Sequence, residues 1–224
     1  MPEHAIAIIG GTGPQGKGLG YRFALAGHSV VLGSRTQDRA DEAAAELNAR
    51  LPEGVSITGA ENAKAAAGTD ITVLAVPFNG HDELVASLRD QLVGKIVISC
   101  VNPLGFDKNG PYGLDVEGGS AAEAAATLLP ESHVIGAFHH LSAVTLLADD
   151  GALTVEDVLV VGDDAESKQV VMDLAESIVG SPGIDAGKLR LARQLEPLTA
   201  VLISINKRYK IHAGVAITGL EHHG

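Results

Sequence analysis

Three glycines are the residues whose spacing points most directly to chemistry. Gly11, Gly13 and Gly16 follow the apolar run Ile6-Ala7-Ile8-Ile9 as a G-x-G-x-x-G pattern. Where such a run joins a strand to a helix, one glycine makes the tight turn and one lets a pyrophosphate approach the backbone. The third lets helix and strand close together. The helix start then offers unpaired N–H groups and a partial positive charge to phosphates. Glycine is common in this chain, 27 of 224 residues, so the pattern by itself is a weak signal. Its place between a strand over 5–9 and a helical pattern over 15–26 makes it a dinucleotide-binding turn rather than a purely structural one.

A second constellation is Ser34, Arg35 and Arg39, within Gly33-Ser34-Arg35-Thr36-Gln37-Asp38-Arg39. NAD-binding folds carry an Asp or Glu at the end of the second strand, about 20 residues past the glycines, to hold the ribose 2′-hydroxyl. Here a hydroxyl and two guanidinium groups occupy that region. They suit a 2′-phosphate, which a carboxylate would repel. The competing reading is a Ser/Thr helix cap followed by solvated arginines. The chemistry favours NADP.

These residues need a scaffold, and the periodicity of the chain supplies it. Apolar runs read as strands over 5–9, 29–32, 55–58, 71–76, 95–99, 133–138 and 158–161. Helical patterns alternate with them over 15–26, 36–50, 61–67, 81–92 and 165–178. Ser120-Ala121-Ala122-Glu123 has the form of a capping box opening a further helix to Leu129. Asp163 and Asp164 read as caps of the helix that follows them. Alternation with short connections implies an α/β fold, a doubly wound and mostly parallel Rossmann-type sheet. Residues 105–119 read as glycine-rich and irregular, and Ile184-Asp185-Ala186-Gly187 closes the alternation. The expected division is therefore an NADP-binding domain over 1–187 and a small C-terminal helical segment over 188–224.

Ligands bind at the C-terminal edge of such a sheet, where three loops emerge. Pro77 and Phe78 follow one strand; they line the nicotinamide-ribose side, or Pro77 merely stops the strand. Cys100-Val101-Asn102-Pro103-Leu104 follows another, and Cys100 reads as a small core residue rather than a nucleophile. His139-His140-Leu141-Ser142-Ala143 follows a third. A histidine there touches substrate or nicotinamide, or it fills a satisfied structural role. No further His or Cys stands at metal-ligand spacing, so no metal site is expected. Nor is there a G-x-S-x-G elbow, a P-loop lysine motif or a catalytic carboxylate pair. Hydride transfer needs none of these, because the cofactor carries the reactivity and the protein supplies placement and electrostatics.

Composition narrows the partners. A net charge of −12 argues against nucleic acid and anionic membrane. The single cysteine cannot form an internal disulfide, which fits a reducing, cytoplasmic location. Neither a signal peptide nor an 18-residue apolar span is expected. With aromatics at 3% and no Trp, the core must be built from Ala, Val, Leu and Ile. The tail Leu220-Glu221-His222-His223 resembles the start of a vector-encoded histidine tag and is given no functional weight. From Lys188 the chain turns basic: Lys188, Arg190, Arg193, Lys207, Arg208 and Lys210 stand against Glu196 and Glu221. This segment reads as a helix over 189–209 interrupted at Pro197. It docks on the acidic body, forms a dimer contact, or holds an anionic second substrate.

Gly10-Gly11-Thr12-Gly13-Pro14-Gln15-Gly16-Lys17-Gly18, Gly33-Ser34-Arg35 and Ala75-Val76-Pro77 together resemble the NADPH-dependent coenzyme F420 oxidoreductases. Gly162-Asp163-Asp164-x-x-Ser167-Lys168 and Ile184-Asp185-Ala186-Gly187 match the same family, so the resemblance covers nearly the whole chain. It implies reversible hydride transfer between NADP(H) and the 5-deazaflavin coenzyme F420, in a homodimer without metal. By the family pattern, Thr12, Ser34, Arg35 and Arg39 hold the 2′-phosphate, with Arg39 standing where some members have lysine. Gly13, Pro14 and Gln15 fall on the pyrophosphate turn that Gly11 opens. Val76, Pro77, Phe78, Leu104 and Ala143 fall near the ribose and nicotinamide, and His139 with the C-terminal segment where the deazaflavin stacks. Because that coenzyme carries a phosphodiester and a glutamate tail, Arg190 or Arg193 is expected to bind the tail. Two alternatives stand beside this reading. One is an NADP-dependent reductase of imines or small carbonyl compounds, with a Lys or Tyr proton donor at the nicotinamide. The other is a non-enzymatic NADP(H)-sensing module.

Overall fold

Ile6, Ala7, Ile8 and Ile9 have no exposed surface at all, as an apolar run without alternation requires of a strand covered on both faces. This strand, β1 (Ala5–Ile9), lies at the centre of the sheet in a computed structural model that describes residues 3–148, 153 and 156–220. On one side it pairs in parallel with β2 (Ser29–Ser34), which pairs with β3 (Ile57–Glu61). On the other it pairs with β4 (Ile71–Leu74), followed outward by β5 (Ile96–Ser99). Beyond these come β8 (His133–Gly136), β9 (Leu159–Gly162) and β10 (Ile184–Gly187), completing the order β10-β9-β8-β5-β4-β1-β2-β3. Every pairing in this sheet is parallel except β8 with β9. The order reverses between β1 and β4, which puts a crevice at their C-terminal ends.

Helices cover both faces. Leu19 and Phe23 of α1 (Pro14–Leu25), Leu47 of α2 (Gln37–Asn48) and Leu174 of α8 (Ala165–Val179) close one side. The other side is closed by α3 (Asn62–Ala67), α4 (His81–Ser87), α5 (Arg89–Leu92) and α6 (Ala121–Leu128), through Ala65, Val85, Leu92 and Ala125. Each fully buried Leu or Ile contributes about 1.5–3 kcal/mol, which lets aliphatic side chains carry most of a core whose buried aromatics are Tyr21, Phe23 and Phe138 among the described residues. A one-turn helix, α7 (Ala143–Leu146), lies against α1 where Gly18 leaves room for Leu146.

Several elements depart from the periodicity. Residues 104–113 are a hairpin, β6 (Leu104–Asp107) and β7 (Gly110–Gly113), where the sequence reads as irregular. Its turn is made by Lys108 and Asn109, with Asp107 Oδ1 accepting the Asn109 N–H at 2.7 Å and Gly110 opening β7 at φ 120°. The strand expected over 55–58 starts at Ile57, because Val55 closes a turn back to the Pro52 carbonyl. The helix expected over 81–92 breaks at Leu88 into α4 and α5. The last helix, α9 (Ala192–Tyr209), runs unbroken through Pro197 after a short 3₁₀ turn at Leu189–Leu191. The Pro197 ring rests on Gly113, where a Cβ would come within 2.7 Å of it. Among the described residues no helix is long and apolar enough to cross a membrane.

Candidate functional site

The glycine turn is assembled with its parts slightly redistributed. The left-handed conformation falls on Gly10, at φ 77°, where a Cβ would strike the Ala75 carbonyl oxygen at 2.7 Å. Gly11 donates its N–H to the Ile8 and Gly33 carbonyls at 3.0 Å each, locking β1 to β2. Gly16 abuts Gly11, and a Cβ there would lie 2.8 Å from the Gly11 Cα. Gly13 caps α1, and a Cβ on it would meet nothing nearer than the Gly10 oxygen at 3.5 Å. Space is therefore open above Gly13 alone of these four, which is what a phosphate cradle requires. Pro14 occupies the first helical position, where no N–H is needed. No acid stands in the first turn to compete for the N–H groups and dipole beyond it.

At the end of β2, Ser34 is buried, while Arg35 and Arg39 are exposed with no hydrogen bond or ion pair among the described residues. Thr36 stands at the helix cap but makes no side-chain capping bond, so the structural alternative for this stretch lacks its defining contact. Asn62, which sequence reasoning passed over, lies against Gly33, and its buried Oδ1 has no partner.

A cavity of about 470 Å³ opens at the sheet edge beside the glycine turn. It gathers Gly13, Pro14, Gln15, Val76, Pro77, His139 and Ala143 from the expected site. Its far wall is α9, through Thr199, Leu202, Ile203 and Asn206. A second cavity of about 680 Å³ holds Phe78 and Leu104 and shares Pro77 and Asn102 with the first. Gly11, Thr12, Ser34, Arg35 and Arg39 line neither. The walls are tied together: Asn102 Nδ2 and Thr199 Oγ1 both donate to the His139 carbonyl at 3.0 Å. Gln15 Nε2 reaches the carbonyl of Phe138, a buried non-glycine residue held at φ 62°.

No Lys, Arg, Asp, Glu or Tyr lines the first cavity among the described residues. Burial, and then the neighbouring His140, push the His139 imidazole down to about 3, and neither ring nitrogen has a partner. His140 is likewise lowered by burial, with Nε2 on the Leu195 carbonyl at 2.8 Å. Burial pushes the Cys100 thiol up to about 12, with Sγ donating to the Leu74 carbonyl. The chamber is thus neutral. It holds no charged general acid, general base or thiolate, and in particular no lysine or tyrosine proton donor for an imine. No cluster of three or more potential metal-binding side chains occurs among the described residues.

Neither Arg190 nor Arg193 lines either cavity, and Arg193 forks onto the Glu123 carboxylate, its Nε at 3.2 Å. Glu123 is held by Ser120 Oγ at 2.9 Å, as the capping box of α6 provides. Asp164 caps α8 by accepting the Ser167 N–H at 2.8 Å. Sequence reasoning missed Glu196, whose buried carboxylate accepts the N–H groups of Ala121 at 2.8 Å and Ala122 at 3.0 Å. Burial pushes its carboxyl up to about 7.

A glycine turn feeding a helix, a neutral cavity at the topological switch and two exposed arginines after β2 define a Rossmann-type dinucleotide-dependent oxidoreductase. A model of the coenzyme F420-dependent NADP oxidoreductases matches residues 5–103. The F420-dependent NADP reductase of Methanothermobacter thermautotrophicus is 40% identical over 222 residues, covering 96% of this chain and 95% of the relative. The F420-dependent NADP reductase of Methanocaldococcus jannaschii is 39% identical, covering 96% of this chain and 99% of the relative. A crystal structure of a putative F420-dependent NADP reductase from Arthrobacter sp. FB24 superposes with a TM-score of 0.79 at 29% identity, over 96% of this chain and all of that one. The chain belongs to the F420-dependent NADP oxidoreductase family.

Proposed function

We propose that this protein transfers a hydride reversibly between NADP(H) and the 5-deazaflavin coenzyme F420. The observation that carries the reading is the neutral 470 Å³ cavity between the glycine turn and α9, in a chain nearly as long as its F420-dependent relatives. When bound, the nicotinamide and the deazaflavin supply the hydride donor and acceptor carbons themselves. The protein's part is to bring two rings together, keep water out and avoid charge that would favour side reactions.

Gly11, Gly13, Pro14 and Gln15 form the pyrophosphate turn, where the open face of Gly13, the Gln15 N–H and the dipole of α1 meet the phosphates. Thr12, Ser34, Arg35 and Arg39 take the 2′-phosphate, with the unpaired guanidinium groups supplying charge-assisted hydrogen bonds. Val76, Pro77, Phe78, Leu104 and Ala143 make the apolar wall around the nicotinamide and its ribose. His139, uncharged at neutral pH, and the cavity face of α9 receive the deazaflavin. The domain over 1–187 carries the nucleotide, and the C-terminal segment from Lys188 closes the chamber through α9. The working state is a cytoplasmic homodimer, supported by the apolar side chains left open on α9 and the hairpin. Val201 is 53% exposed, Tyr209 65%, Phe106 68% and Tyr112 48%.

Mixing the protein with oxidised F420 and NADPH tests this. Loss of the deazaflavin absorbance and fluorescence with NADPH, and neither with NADH nor with flavin mononucleotide as acceptor, is the expected result. Tight NADPH binding without any bleaching would remove the reading.

A further inference from the structure

Glu196 touches neither cavity, yet it is the most deeply buried carboxylate among the described residues, 1% exposed. Its two oxygens take the N–H groups of Ala121 and Ala122, the first two of α6, while Ser120 Oγ takes the third from Glu123 at 3.1 Å. Those N–H groups have no partner within their own helix. A helix start that α6 could leave to water is instead closed by a side chain from α9. The other groups facing this junction are accounted for. Glu123 is bound by Ser120 and Arg193, and His140 is uncharged on the Leu195 carbonyl.

The position of Glu196 along α9 gives the contact its consequence. Residues three, seven and ten further on lie on the same side of a helix. Those residues are Thr199, Ile203 and Asn206, which line the cavity. A fixed point at Glu196, beside the Thr199 tie to the His139 carbonyl, therefore constrains the rotation and the axial register of the stripe that faces the chamber. Elsewhere α9 is held by Thr199 Oγ1 on the His139 carbonyl at 3.0 Å, by its Leu195 carbonyl on His140 and by the Pro197 ring on Gly113, none of which engages the start of α6.

We propose that Glu196 is a positioning residue for hydride transfer: by clasping the N-terminus of α6 it sets the register of α9 and so shapes the deazaflavin side of the cavity. The inference rests on the proposed function, in which α9 faces the deazaflavin and the nucleotide lies against other elements.

The test uses full-length wild type, Glu196→Ala and Glu196→Gln, read in two ways. The first is amide hydrogen exchange without cofactor, at 121–122 and 199–206. Exchange in Glu196→Ala should be at least about tenfold faster at both segments and unchanged over 5–25, on the scale of a lost hydrogen bond to a charged group. The second is steady-state kinetics. KM for F420 should rise about tenfold in Glu196→Ala while KM for NADPH moves less than about twofold, and Glu196→Gln, which keeps one acceptor, should fall between. Wild-type exchange at 199–206 in Glu196→Ala would overturn the proposal. So would a parallel rise of both KM values with no recovery in Glu196→Gln. Should the alanine variant fail to fold, Glu196→Gln decides: intermediate exchange with an F420-selective KM rise supports the clasp, and wild-type values contradict it. If wild type itself does not reduce F420, the functional reading fails while the exchange arm still judges the clasp.

Discussion

A Cβ on Gly16 would lie 2.8 Å from the Gly11 Cα, whereas one on Gly13, three residues earlier, would meet nothing closer than 3.5 Å. The two glycines of one motif therefore serve different ends, one in folding and one in binding. Gly16→Ala should destabilise the protein by about 1–3 kcal/mol, since backbone on both sides has no room to give. Gly13→Ala should keep its stability within about 0.5 kcal/mol and lose NADPH affinity, because the added methyl occupies the phosphate approach. Denaturant unfolding and NADPH titration of both variants check the split.

Arg35 and Arg39 are exposed and have no partner to lose among the described residues, so their removal should leave the fold intact. Each alanine substitution should cost about 1.5–3 kcal/mol of NADP binding, the range for a hydrogen bond to a charged group. NAD binding should be untouched. The ratio of kcat/KM for NADPH over NADH is the measurement, and an unchanged ratio in Arg39→Ala would remove the argument for 2′-phosphate recognition.

Two buried groups impose opposite pH dependences. The His139 imidazole is lowered to about 3, so the unfolded chain binds the extra proton between about 6.5 and 3. Its contribution is whole above 6.5 and is lost as pH falls through that window. The Glu196 carboxyl is raised to about 7, so the folded chain holds the extra proton, and stability declines as pH rises from about 4.5 to 7. Its full span is on the order of 3 kcal/mol. Urea midpoints against pH should show a flatter acid limb in His139→Phe and a flatter rise-to-neutral limb in Glu196→Gln, each relative to wild type.

Cys100 is buried with its thiol pushed up to about 12, so it should resist alkylation in the native protein at neutral pH and react at once in urea. Mass spectrometry after brief iodoacetamide treatment reads this directly. Fast native labelling would mean the sheet edge opens far more than the packing around Leu74 allows.

The sheet was legible because its strands are buried on both faces and read as uninterrupted apolar runs, and the glycine turn because it sits at a strand-to-helix junction. The hairpin at Leu104–Asp107 and Gly110–Gly113 was hidden because its strands carry glycine and proline in place of β-branched residues. Pro197 reads as a helix break; in the fold its ring finds Gly113 and the helix continues. Arg193 reads as a free cation, and only the folded chain brings Glu123 to it from 70 residues away. Glu196 was silent for the same reason, since Ala121, the N–H it accepts, is 75 residues distant. What periodicity conveys is which face of an element is apolar. It says nothing of which distant polar groups meet once those faces are joined.

Direct hydride transfer through a neutral cavity is most sharply tested with NADPH carrying deuterium at the transferable C4 position, oxidised F420 and the protein in ordinary water. The account predicts deuterium on the carbon of the reduced deazaflavin, recovered by mass spectrometry, because a hydride passed from carbon to carbon never exchanges with water. Reduced F420 without the label, or NADPH consumed with the deazaflavin left oxidised, would contradict it.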